Sequence, residues 1–295
     1  MKTEKIVVLY GGDSLEREVS IKSGRAIIES LVGQGYDAVG LDASGKQLVT
    51  RLLDINPDKC FMALHGEDGE DGHVAALLDM LGIKHTSSSM KSGVVTMDKM
   101  ISKEIWMHHR MPTPMAKVLT DRLVGEDEIS FPVVVKPVNG GSSIATFKVE
   151  SITGLKPAYE EASKYGEVMV EQWVTGKEIT VAIVNDEVFS SVWIEPFNEF
   201  YDYESKYNGK STYHSPSGLG SDKEKEVRAL AKKAYDMLGC SGHARVDFMY
   251  ENGKFLLMEI NSCPGMTENS LSPKSAGALG IGFDALIKLI IEQAK

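Results

Sequence analysis

Cysteine is scarce: Cys60, Cys240 and Cys263 are the only three in 295 residues. The number is odd and the spacing is not that of a metal site, which excludes a disulfide scaffold and a structural zinc. No apolar run reaches the roughly 20 residues that a membrane-spanning helix needs. The chain enters a strand pattern directly at Met1-Lys-Thr-Glu-Lys-Ile-Val-Val-Leu-Tyr10, with no signal-peptide core before it. A cytoplasmic protein without a membrane partner is expected. Positive charge is also short. At a net charge of −10 the chain is a poor non-specific ligand for nucleic acid.

Three familiar loops are missing. There is no G-x-G-x-x-G, so NAD binding and a dehydrogenase reading have little support. There is no GxxxxGK[ST], and the acidic loop at 65–72 fails the spacing of an EF-hand. No repeat or low-complexity segment appears. An acidic chain that handles phosphates must therefore use local lysines, arginines, backbone N–H groups and metal.

What is present is an ordinary soluble composition, 42% hydrophobic and 25% charged, at a length that suits two or three domains. Ile6–Tyr10, the Gly11-Gly12-Asp13-Ser14 turn and a helical pattern from Glu16 to Leu31 open a βα unit of doubly wound type. Glu16 at the first helical turn is, taken alone, more often simple dipole complementation, though it would also suit a ligand's amine. Strands follow at 37–41 and 59–64. The loop His65-Gly-Glu-Asp-Gly-Glu-Asp-Gly72 then stands at the carboxyl end of a strand, the ligand edge of such sheets. His73 begins the next helix, and no chemical role is assigned to it.

Near residue 95 the pattern changes. A helix starts at Met97-Asp98-Lys99 and stops at Met111-Pro-Thr-Pro114. Phe131–Pro137 is a strand carrying Lys136 at its end. Asn139-Gly-Gly-Ser-Ser143 and a strand at 144–149 follow it. This loop offers N–H and hydroxyl donors to a phosphate, or is a plain hairpin turn. Val168–Val174, 179–184 and 188–194 read as strands. The stretch 198–221 lacks any period, and its aromatic, charged and glycine residues suit an active-site lid. Ser221-Asp-Lys-Glu224 reads as a capping box before an amphipathic helix. The last helix falls at 283–293, after a loop at 264–273.

The most informative stretch is Ala244–Phe248, an Asn252-Gly253 turn, and Phe255–Asn261. Arg245 and Asp247 share one strand face, and so do Glu259 and Asn261. A solvated face and a hard-cation site both fit these residues, since Asp, Glu and Asn offer only oxygen donors. For all four to share a face, the strands must be out of step by one residue. A three-residue turn at 250–253 with Gly253 left-handed does this, pairing 250 with 254 and 247 with 257. A two-residue turn would set the carboxylates on opposite faces.

Taken together and in order, nine or more segments resemble the ATP-grasp superfamily and, within it, the D-alanine–D-alanine ligases. They are Gly11–Ser20, Ala63–Gly66, Gly69–Gly72, Met97–Lys99, Val135–Pro137, Gly141–Ser143, Phe200–Tyr207, Arg245–Asp247, Met258–Asn261 and Pro264–Thr267, with Asn269–Leu271 just after. The resemblance implies an α/β fold with α+β parts. It consists of an N-terminal open parallel-sheet domain (1–95), a small central domain (96–175) and a C-terminal mixed-sheet domain (176–295) carrying the lid at 198–221. It implies a reaction in which ATP phosphorylates one D-alanine and the amine of a second displaces the phosphate, feeding peptidoglycan synthesis. It also implies a homodimer.

Residue roles follow from the same resemblance. Asp247, Glu259 and Asn261 would hold two Mg²⁺ or Mn²⁺ ions. Lys99, Lys136, Ser142 and Lys206 would contact ATP phosphates, while Glu171, Trp173, Val174, Glu178 and Met258 would form the nucleotide pocket. Glu16 would fix the first substrate's ammonium beside Val19 and His65. Arg245 and the Gly265 N–H would bind the developing oxyanion, and Ser270 and Leu271 would take the second carboxylate. Ser142 and Tyr207 would link to Glu16, and a tyrosine at 207 suits an amine acceptor. The sequence departs from the family at Asn139-Gly140, Ala145 and Ser262-Cys263. The nearest rival is another ATP-grasp ligase, such as one making D-alanyl-D-lactate; a non-catalytic nucleotide-binding module is the more distant one.

Overall fold

The computed structural model describes residues 4–120, 129–197 and 211–295. Their strands form three sheets. In the first, β1 (Lys5–Tyr10), β2 (Asp37–Asp42), β3 (Lys59–Met62) and β4 (Lys84–His85) run parallel in the order β2-β1-β3-β4. The run Ile6-Val-Val-Leu9 is fully buried, as a central parallel strand covered on both faces must be. Helix α1 (Arg17–Gly33) packs on one face through Ile27 and Leu31. On the other face lie α2 (Leu48–Ile55) and α3 (His73–Met80), through Leu52, Val74 and Leu78. Two further helices, α4 (Met90–Met97) and α5 (Lys99–His108), lead out of this layer; Asp98 caps α5 by accepting the Ile101 N–H at 2.8 Å.

The second sheet is antiparallel: β5 (Ala116–Leu119), β6 (Val133–Pro137), β7 (Phe147–Val149) and β8 (Val168–Gln172), in the order β5-β8-β6-β7. It is backed by α6 (Ile152–Ala162). Strand β7 is shorter than the expected 144–149, because Ser142, Ser143 and Ala145 take left-handed φ angles between 51° and 57°.

The third sheet holds β9 (Lys177–Val184), β10 (Glu187–Glu195), β11 (Thr212–His214), β12 (His243–Glu251) and β13 (Lys254–Asn261), in the order β11-β10-β9-β12-β13. A mixed sheet was expected here; among the described residues every pairing is antiparallel. Helix α7 (Ser221–Met237) covers its core face with Val227, Ala231, Ala234 and Tyr235. The capping box is absent. Gly220 stands at the cap position, and the Glu224 carboxylate instead accepts from the backbone N–H of Ser191 at 2.9 Å, so it ties the helix to β10. Within the loop expected at 264–273 the chain already turns helical, as α8 (Leu271–Gly277). The last helix, α9 (Phe283–Glu292), packs its buried Leu286, Ile287, Ile290 and Ile291 into a core shared by the first and third sheets.

The hairpin of β12 and β13 corrects the turn expected from the sequence. Glu251 pairs with Lys254, so the connection has two residues, with Asn252 and Gly253 at φ 50° and 79° as a type I′ turn requires. The missing step comes further along. Phe248 pairs with Leu257, but Asp247 pairs with Glu259, leaving Met258 as the extra residue of a β-bulge. Phe255 and Leu257 therefore face the core on one side of the bulge, and Ile260 does so on the other. Asp247, Glu259, Arg245 and Asn261 end on one face after all, through the bulge and not through the turn.

Candidate active site

On that face Asp247 lies directly across from Glu259, and Arg245 across from Asn261. The Arg245 guanidinium grips Asp247 in a fork, Nε to Oδ1 at 2.9 Å and Nη2 to Oδ2 at 2.8 Å. Thr180, opposite on β9, donates its hydroxyl to Asp247 Oδ1 at 2.5 Å. Asn261 Oδ1 accepts the Cys263 N–H at 3.0 Å, which fixes the amide at the end of β13. The face thus carries two carboxylates and a carboxamide oxygen, a donor set that suits a hard divalent cation.

Asp247 and Glu259 open onto a cleft of about 280 Å³ between the second and third sheets. Lys99, Lys136, Glu171, Trp173, Val174, Glu178 and Met258 line the same cleft. The bulge explains why Met258 and Glu259, consecutive in β13, both reach it, since a regular strand would send them to opposite faces. Lys99 Nζ donates to the Gly140 carbonyl at 2.5 Å and stands 3.6 Å from Glu259 Oε2. Burial and the neighbouring Lys136 lower the Lys99 pKa. Lys136 is ion-paired with the buried Glu171 at 2.7 Å. Burial alone would lower the Lys136 pKa, but Glu171 and Glu259 outweigh it and raise it.

A second cavity adjoins the first. Asn139, Gly140, Gly141 and Ile144 line both, so the loop after β6 is the partition between them. The far wall of the second cavity comes from Ser14, Glu16 and Gly66 of the parallel-sheet layer. Glu16 sits at the start of α1, and the Ser142 hydroxyl donates to its Oε1, joining that layer to the loop. A Cβ at Gly66 or at Gly141 would come within 3.0 Å of Glu16 Oε2, so both positions leave room for this carboxylate.

Behind it His65 is buried. Its Nδ1–H donates to the Cys263 carbonyl at 2.7 Å, and Nε2 faces the Ser23 hydroxyl at 3.2 Å. Because a carbonyl can only accept, Nδ1 carries a proton; burial, and to a lesser degree Arg245, lower the ring's pKa, while Glu16 opposes them. Glu70 accepts the Gly66 N–H at 3.1 Å, and burial together with Glu16 pushes its carboxyl up to about 8.

The remaining expected residues are less gathered. Ser270 precedes α8 and accepts the Thr267 N–H at 2.9 Å; Leu271 is the first residue of that helix. Gly265 is near Ser270, whose Oγ lies 3.5 Å from where a Gly265 Cβ would be. Val19 is half-buried on the first turn of α1 and lines neither cavity. Lys206, Tyr207 and most of the 198–221 lid lie outside the described residues. Glu70 and Lys103 were missed as site residues. Lys103 is a buried lysine that pairs with Glu171 Oε1 at 2.5 Å, and only its position four residues after Lys99, on the same helical face, hinted at it.

A family profile described as "D-ala D-ala ligase C-terminus" matches residues 106–292. A D-alanine–D-alanine ligase of Francisella tularensis subsp. novicida is 79% identical over the full length of both chains. A solved D-alanine–D-alanine ligase of Bacillus anthracis, complexed with ATP, superposes with a TM-score of 0.86 at 32% identity, covering 99% of this chain and 97% of that one. A D-Ala:D-Ser ligase of Enterococcus faecalis has the same shape, with a TM-score of 0.85 at 26% identity and 99% of each chain covered.

Proposed function

The chain belongs to the D-alanine–D-alanine ligase family, and from that premise we infer how its own residues divide the work. It is an ATP-dependent ligase that joins two D-alanines into D-alanyl-D-alanine, a step of peptidoglycan synthesis. The D-lactate and D-serine alternatives are not favoured, since a relative named for the D-alanine reaction is 79% identical against 26% for the D-serine ligase.

The observation that carries the assignment of roles is the shared partition. Among the described residues, the loop around Gly140 and Gly141 lines both the lysine- and carboxylate-lined cleft and the cavity that holds Glu16. ATP would occupy the first cleft, with Trp173, Val174, Glu178 and Met258 around the base and ribose, and Lys99 and Lys136 on the phosphates. The first D-alanine would sit on the Glu16 side, its ammonium on that carboxylate, so its own carboxylate points at the γ-phosphate. Asp247, Glu259 and Asn261 fit two Mg²⁺ or Mn²⁺ ions by donor type and shared face. When bound, the ions neutralise charge on the phosphates during transfer.

The Ser142 hydroxyl orients Glu16, and His65, held by Cys263 and Ser23, is an electrostatic neighbour of that carboxylate. Arg245 and the Gly265 N–H would stabilise the oxyanion as the second amine attacks the acyl phosphate. Ser270 and Leu271 would receive the second carboxylate. Lys206 and Tyr207 belong to this reading through the family pattern, the lid serving to keep water from the acyl phosphate. Domains divided near 95 and 175 are consistent with the three sheets, each of which falls within one of them. A cytoplasmic homodimer completes the reading; among the described residues no helix is long and apolar enough to cross a membrane.

Two substitutions test the division of roles. Asp247→Asn is expected to lower kcat on the order of 100-fold. Glu16→Gln is expected to raise the KM of the first D-alanine and leave that of ATP within about twofold, since the lost charge faces only the amino acid. Equal effects of Glu16→Gln on both KM values would contradict the placement.

A further inference from the structure

Lys103 lies outside the roles assigned above, yet its ammonium is fully buried where three elements of the cleft meet. On one side it pairs with Glu171 Oε1 at 2.5 Å, and the other oxygen of the same carboxylate holds Lys136 at 2.7 Å. On the other side it donates to Thr113 Oγ1 at 2.7 Å and to the Pro114 carbonyl at 3.2 Å. The Thr113 hydroxyl passes the connection on, donating to the Leu257 carbonyl at 2.7 Å, while the Leu257 N–H donates to the Pro112 carbonyl at 2.8 Å.

Leu257 is no arbitrary anchor. It is the residue at which β13 changes step, immediately before the bulge at Met258 that sets Glu259 opposite Asp247. Strand β13 is also the edge of its sheet, so among the described residues no strand holds its outer hydrogen-bonding groups. The 112–114 segment takes that place at Leu257. The same segment runs on into β5, where Ala116 pairs with Glu171 and the Met115 carbonyl accepts the Gln172 N–H at 2.9 Å. A bulge on an unsupported edge would be free to slip, and a carboxylate with one lysine would turn toward it.

We propose that Lys103 is a positioning residue that fixes both walls of the nucleotide cleft, holding Glu171 so that Lys136 keeps its reach and holding, through Thr113, the bulge that faces Glu259 to Asp247. The proposal rests on the roles given above to Lys136, Asp247 and Glu259. Lys103 touches no substrate; it acts through groups that would.

Its two arms separate experimentally. Lys103→Met is expected to weaken metal-free ADP binding, measured by direct titration, about tenfold, and Mn²⁺ binding in the presence of ADP, followed by electron paramagnetic resonance, about tenfold. KM for D-alanine should stay within about twofold. Thr113→Val is expected to weaken only the Mn²⁺ binding, by about tenfold, and Thr113→Ser, which keeps the hydroxyl, to restore it. A folded Lys103→Met protein with unchanged ADP and Mn²⁺ affinities would overturn the proposal. If that variant does not fold, unchanged Mn²⁺ affinity in Thr113→Val overturns it. Lys136→Met and Asp247→Asn serve as references: if they leave ADP and Mn²⁺ binding unchanged, the underlying site reading fails instead.

Discussion

Glu70 and Lys103 show what single residues conceal. Glu70 stands in a polar loop and Lys103 on a helix of mixed residues, and nothing in their neighbours along the chain says that the first is half-buried and the second fully buried. The charges that act on them come from afar: the repelling Glu16 at the start of α1 for Glu70, and the partner Glu171 on β8 for Lys103. Asp247, Glu259 and Asn261 could be picked out as candidates because oxygen-only residue types alternate along a strand, and Lys136 because it ends a strand beside a glycine loop, whereas Lys99 was a candidate only through the family resemblance. Glu70 also has a consequence for pH. Burial and Glu16 raise its carboxyl from 4.5 to about 8. The stability gained from the protonated form is full below about 4.5 and is lost as pH climbs toward about 8. Thermal unfolding of the unliganded protein should therefore show Tm falling over that window, and Glu70→Gln should flatten the fall. A variant with the original slope would contradict the assignment.

Among the elements, the β12–β13 hairpin is the instructive one. The shared face of its four polar residues was readable from alternation, and so was the need for one extra residue. Its position was not. Phe255-Leu-Leu-Met258 is apolar throughout, so the change of inward parity at Met258 leaves no mark on the pattern. Since the turn does not set the face, altering it should spare the chemistry. Asn252→Ala, at φ 50°, is expected to cost about 1 kcal/mol of stability and to leave kcat unchanged; a large loss of activity would restore the turn to the central role. Helix α8 was hidden by Pro273. In the first helical turn, however, the backbone N–H that proline lacks has no intrahelical partner to lose. The capping box failed because Glu224 found donors on β10 that sequence neighbours do not reveal.

The three sheets of the whole molecule are not independent. Helix α9, from the very end of the chain, fills a core built from the first sheet at Ile6 and Val8 and from the third at Ala182 and Val184. Fold class and element order were readable because each βα unit and hairpin is local, but this closure is not local and no pattern announces it. Ile290 is 1% exposed in that core. Ile290→Ala should cost about 2–5 kcal/mol of stability while leaving KM for ATP unchanged below the melting range, as denaturant titration and steady-state kinetics would show. The central claim spans all three layers, because ATP, the carboxylates and Glu16 must meet across them. Phosphate release by the purified protein with ATP and Mg²⁺ tests it most directly, comparing D-alanine with L-alanine and D-lactate. Release that depends on D-alanine and is matched by an equal amount of D-alanyl-D-alanine is predicted; release indifferent to D-alanine, or without dipeptide, would contradict the account.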